Sequence, residues 1–105
     1  MQTITAEELK MKLDAGEKPI LLDVREGWEY EICNIPNSIN ISMSDVNQMF
    51  DKLVPTDETI VICHHGMRSF QVGSYLESNG FNNIVNLEGG IDAWAKTVAP
   101  DMEQY

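Results

Sequence analysis

Apolar residues along this chain fall into short blocks whose spacing alternates between two patterns. Pro19-Ile20-Leu21-Leu22-Asp23-Val24 is a nearly continuous run, as expected of a strand buried on both faces. Thr59-Ile60-Val61-Ile62-Cys63 is a second run, rich in β-branched residues. Ile84 to Leu87 and Ile39 to Ile41 read as further short strands. Between these runs the spacing turns helical. Thr5-Ala6-Glu7-Glu8 is a capping box ahead of Leu9 and Leu13, and Gly16 can close that helix. Val46, Met49, Phe50 and Leu53 share a face after a cap at Ser44, and Pro55 stops them. A helix is predicted over Ser69 to Asn79, with Val72, Gly73 and Leu76 inward and Gly80 as its stop. Ile91 to Ala95 opens a last helix with Trp94 packing inward, and residues from Pro100 onward are expected to be loosely ordered. Strands alternating with helices predict an α/β fold with a mainly parallel central sheet flanked by helices on both faces.

Composition narrows this picture. The 105 residues suit one domain, 1–105, with one core. Apolar residues are 43% and charged residues 23% of the chain, which is ordinary for a globular protein. No stretch approaches the roughly 20 apolar residues of a membrane span. Met1 to Glu8 resembles neither a signal nor a transit peptide, so a cytoplasmic location is expected. The net charge of −10 argues against nucleic acid and anionic membranes as partners.

The candidate chemistry lies where the β-branched strand ends. Cys63-His64-His65-Gly66-Met67-Arg68-Ser69 joins that strand to a helix. In open α/β sheets, ligands bind beyond the carboxyl ends of strands. A helix start also aims backbone N–H groups at the loop centre. A thiol there is expected to ionise more readily than free cysteine, whose pKa is about 8.5. Arg68 is expected to add a fixed positive charge, and Gly66 to let the backbone turn tightly. The same cradle suits a thiolate, a persulfide anion or a bound oxyanion. A metal held by Cys63, His64 and His65 is not expected: neighbouring residues on a tight loop point apart, and no fourth ligand has suitable spacing. No cofactor is implied. Asp23 and Arg25, following a buried strand, are expected to brace loops as structural support. Cys33 is expected to be passive, with resolution of a persulfide as a disulfide with Cys63 as the alternative.

The loop resembles the active-site loop of the rhodanese family, with Cys63 matching its persulfide-forming cysteine. Leu21-Leu22-Asp23-Val24-Arg25-Glu26, Glu29-Tyr30 and Ile35-Pro36 resemble the family's N-terminal signature, and Leu87-Glu88-Gly89-Gly90-Ile91 with Trp94 its C-terminal one. Cys33-Asn34 and Asn37 depart from the glycines and histidine usual around Ile35-Pro36. Asn tolerates a positive φ, so a turn at Asn37 can survive. The resemblance implies a rhodanese-like sulfurtransferase. Cys63 would accept sulfane sulfur as a persulfide and pass it to a thiol, cyanide or protein acceptor. His64, His65, Gly66, Met67, Arg68 and Ser69 would form the substrate-binding loop. Two other classes compete. Related phosphatases and arsenate reductases have a loop one residue longer, Cys-x5-Arg, whereas Cys63 to Arg68 is Cys-x4-Arg. A non-catalytic binding domain would have no need of Cys63, Gly66 and Arg68 together.

Overall fold

The computed structural model describes residues 1–105 and turns the apolar runs into the strands of one sheet. In chain order the strands are β1 (Gln2–Ile4), β2 (Ile20–Asp23), β3 (Ile39–Asn40), β4 (Thr59–Ile62) and β5 (Ile84–Leu87). The helices are α1 (Ala6–Asp14), α2 (Gly27–Ile32), α3 (Val46–Lys52), α4 (Met67–Ser78) and α5 (Gly90–Thr97). The sheet order is β1-β5-β4-β2-β3, and every pairing is parallel. The fold is therefore the expected α/β class. β1 was not legible as a strand. It is an edge strand whose pairing with β5, Gln2 opposite Val85, supplies what its polar side chains do not.

Strand alternation splits each run between two cores. Leu21, Ile60, Ile62, Val85 and Leu87 face one side, packed with Leu9, Ile91 and Trp94 of α1 and α5. Leu22, Val24, Val61, Cys63 and Ile84 face the other, packed with Met49, Val72 and Leu76 of α3 and α4. Both faces of the sheet are covered, which explains why these strands read as continuous apolar runs rather than alternating ones. Truncating a fully buried member such as Leu22 or Ile60 to Ala would cost about 2–5 kcal/mol.

The helix ends follow local rules with one exception. Thr5 and Glu8 form the reciprocal capping box on α1, at 3.1 and 2.9 Å. Ser44 does not cap α3. A 3-10 turn at Met43–Asp45 leads into that helix, and the Ser44 hydroxyl meets Ser42 instead. Asn37 does adopt φ 68°. The segment after Pro100 is packed, contrary to the expectation of loose order. Met102 contacts the α1/α5 core, and Tyr105 stacks on His64 with ring centroids 4.0 Å apart. No helix is long and apolar enough to cross a membrane.

Candidate functional site

β4 delivers Cys63 to the carboxyl edge of the sheet, directly after Ile62. Cys63 is 1% exposed and belongs to the α3/α4 core. The chain then turns through Gly66, at φ 105°, whose N–H donates to Cys63 Sγ at 3.0 Å. α4 starts at Met67, two residues earlier than its apolar pattern suggested, so Arg68 and Ser69 belong to its first turn. First-turn N–H groups have no carbonyl within their own helix, so the positive end of α4 faces the loop.

α5 fixes the other side of the loop. The N–H groups of Ile91 and Asp92 donate to the Cys63 and His64 carbonyls at 2.8 and 3.1 Å. Gly90 permits this approach: at φ 60°, any Cβ there would overlap the Cys63 and His64 carbonyls.

With the Gly66 N–H, the Ser69 hydroxyl closes on the sulfur and is itself tied to Asn86. Ser69 Oγ lies 3.3 Å from Cys63 Sγ and donates to Asn86 Oδ1. Asn86 Nδ2 in turn donates to the Gly66 carbonyl at 3.2 Å. Asn86 was not anticipated. Its signal was a polar residue inside the otherwise apolar Ile84–Leu87 run, which demands a buried partner.

Arg68 does not present an unpartnered cation to the loop. Its Nη1 and Nη2 donate to Glu29 Oε1 and Oε2 at 2.7 and 2.9 Å. Glu29 also accepts from the Glu26 N–H at 3.0 Å and from the Tyr105 hydroxyl at 2.7 Å. The Arg68 hydrogen bonds hold the Glu29 carboxyl at about 2, well below its ordinary 4.5, against the opposing effect of burial. The same bonds raise the Arg68 pKa above its ordinary value. Burial pushes the Tyr105 hydroxyl up to about 12, so it stays protonated and able to donate.

Asp23 and Arg25 lie behind this network. Arg25 is 0% exposed. Its Nε and Nη2 grip the Asp23 carboxylate at 2.9 and 2.7 Å, and the rest of the guanidinium reaches the Cys33 and Glu29 carbonyls. Arg25 Nη1 also donates to the Tyr105 hydroxyl at 3.0 Å. Burial is the strongest single influence and works against this charge, but the hydrogen bonds to Asp23 and Tyr105 and the attraction of both groups together outweigh it and leave the Arg25 pKa raised. Cys33 Sγ lies 3.9 Å from Arg25 Nη1 and is buried.

His64 and His65 are stacked at 4.0 Å rather than splayed apart. With Asp92 they bring ligand atoms within 4.8 Å of one another. Asp92, the third of these groups, is already paired with Lys96 at 3.0 Å. Burial, then the neighbouring His65, lowers the His64 pKa and favours its neutral form. Met67 is 73% exposed at the loop's outer edge.

A lone cysteine cradled between strand and helix, at the carboxyl edge of a parallel sheet, defines a class of α/β domain built around one thiol. The family model described as Rhodanese-like domain matches residues 5–97, and the chain belongs to that family. It is 38% identical over 100 residues to "Putative sulfurtransferase YtwF" of Bacillus subtilis, covering 95% of this chain and 96% of that protein. It is 42% identical over 106 residues to "Probable adenylyltransferase/sulfurtransferase MoeZ" of Mycobacterium tuberculosis. That match takes in 98% of this chain but only 27% of MoeZ. A rhodanese-related protein from Thermoplasma volcanium superposes with a TM-score of 0.84 at 36% identity, covering 95% of this chain and 96% of that one.

Proposed function

We propose that the chain is a sulfurtransferase that carries sulfur as a persulfide on Cys63. The Cys63 thiolate attacks the outer sulfur of a donor R–S–SH. A bond forms between Cys63 Sγ and that sulfur, the donor S–S bond breaks, and RS⁻ leaves with the electron pair. An acceptor thiolate, protein thiolate or cyanide then attacks the outer sulfur of Cys63-S-SH and releases the Cys63 thiolate. Sulfur moves without net oxidation or reduction of the protein.

The observation that carries this reading is the convergence of the Gly66 N–H and the Ser69 hydroxyl on Cys63 Sγ, at 3.0 and 3.3 Å. Both groups can hold an anionic sulfur. The loop from His64 to Ser69 supplies the wall for the transferred atom, while Asp23 and Arg25 brace the Cys33 turn behind it. The names of YtwF and MoeZ agree with this chemistry. Mass spectrometry of the intact protein after exposure to a sulfane-sulfur donor tests it. One added sulfur on Cys63, removed by cyanide as thiocyanate, is expected. An unmodified Cys63 with every donor would end the proposal.

A further inference from the structure

The seven Lys and Arg residues of this chain are distributed unevenly with respect to their partners. Arg25, Arg68 and Lys96, the three nearest the loop, are each paired with a carboxylate: Asp23, Glu29 and Asp92. Lys10 and Lys12 are paired on α1. Lys18 and Lys52, the two without an ion pair, flank the starts of β2 and β4, at the end of the sheet opposite Cys63. The mouth of the loop thus has no permanent cation whose charge is not already balanced, in a chain of net charge −10.

We infer that Glu29, by clamping Arg68 in a two-pronged ion pair, makes the site selective for sulfur donors of low charge and rejects dianionic ones. This rests on the sulfur-transfer reading above and names the donor class for it. Thiosulfate shows the contrast. The Cys63 thiolate would attack its outer sulfur, break the S–S bond and expel sulfite with the electron pair. A dianion must approach an anionic sulfur, and a dianion must leave. An unpaired guanidinium would offset that charge, but the Arg68 guanidinium faces the Glu29 carboxylate at 2.7 and 2.9 Å. Tyr105 and the Glu26 N–H hold that carboxylate from two further directions, so Arg68 does not swing free at little cost. A persulfide of a protein or small thiol brings less charge and expels a monoanionic thiolate. Glu29 touches neither reacting sulfur. It is a positioning residue that sets charge preference through Arg68.

The test compares thiosulfate with methanethiosulfonate, a monoanion in which a methyl group replaces one oxygen. Both donate the same outer sulfur, and cyanide serves as acceptor for both. Wild-type protein should prefer methanethiosulfonate by about tenfold or more in kcat/KM, since one extra charge near a partly buried thiolate is poorly screened. Glu29→Gln keeps the size, removes the charge and replaces one of the two accepting oxygens by an NH₂ donor, which loosens the clamp on Arg68. It should shift the preference toward thiosulfate by about tenfold, with a steeper loss of thiosulfate kcat/KM on adding salt. Met67→Lys places a new cation on an exposed position next to Arg68 and leaves the buried pair intact. It should shift the preference the same way by about threefold. A preference unchanged within about twofold in both variants, or in Met67→Lys where Glu29→Gln does not fold, overturns the inference. Failure of both donors to place sulfur on wild-type Cys63 would instead remove the sulfur-transfer reading itself.

Discussion

The two ends of the sheet are built differently. At the amino end, a cleft of about 660 Å³ opens between Leu13, Leu21, Ile35, Pro36, Trp94 and Val98, with Lys10 and Lys18 on its rim. At the carboxyl end, a cavity of only about 10 Å³ meets the loop at His64, beside Tyr105. Cys63 lines neither of them. The larger hollow is therefore not where the thiol is. Small-molecule enzymes usually enclose most of their substrate in a pocket of several hundred Å³. Handing on a single sulfur atom needs no such enclosure. On the proposed mechanism only the outer sulfur of a donor has to reach the cradle formed by the Gly66 N–H and Ser69 hydroxyl. The size of a hollow and the placement of the thiol are thus separate properties of this fold.

The largest expected effect lies at the carboxyl end. Cys63→Ser should abolish transfer to cyanide while far-UV circular dichroism stays unchanged, because serine is nearly isosteric and forms no persulfide. A folded variant that keeps most of its activity would break the assignment of chemistry to that end. Next comes Gly90→Ala. A methyl at φ 60° in contact with the Cys63 and His64 carbonyls should displace the loop, reduce transfer severely and destabilise the protein by about 1–3 kcal/mol. Urea unfolding and kcat/KM measured side by side would show both losses.

A third expectation concerns acid. The folded pKa of Glu29, about 2, lies below its ordinary 4.5, so its ion pair contributes stability that is fully present above pH 4.5. That contribution is lost as pH falls from 4.5 toward 2. Glu29→Gln should therefore be less stable than wild type at neutral pH, with the gap closing across that window. A gap that stays constant down to pH 2 would detach Glu29 from acid stability. The smallest effect belongs to the cleft. Lys18→Glu should change stability by less than about 0.5 kcal/mol and leave kcat/KM unaltered, as for an exposed charge far from the thiol. A marked kinetic change there would show that the two ends are coupled.

The sequence revealed those parts of the molecule whose causes are local. The β4 and β5 runs, the Thr5–Glu8 box and the turn at Asn37 each follow from neighbouring residues. The Cys63 loop was legible for the same reason, since strand, glycine and helix start are consecutive. α2 was not, because Gly27–Ile32 has no long apolar stripe. Its role is to present the Glu29 carboxylate to Arg68 and the Glu29 carbonyl to Arg25. Nor did the sequence show that Arg68 is neutralised by a residue 39 positions away, or that Tyr105 joins the same network 76 positions from Glu29. Charge compensation at a site depends on which loops meet, and local pattern carries no record of that.

The Ser69–Asn86 contact has a directional consequence. Asn86 must turn its amide NH₂ toward the Gly66 carbonyl, so its oxygen faces Ser69 and takes the serine's only proton. Toward Cys63, Ser69 then has lone pairs alone to offer, and the cysteine S–H completes a ring running from Cys63 to Ser69, Asn86, Gly66 and back through the Gly66 N–H. When the sulfur becomes anionic it has no proton to give. Ser69 must rotate its hydrogen toward the sulfur, and Asn86 Oδ1 loses its donor. The hydroxyl thus has two orientations, one that serves Asn86 on β5 and one that serves an anionic Cys63.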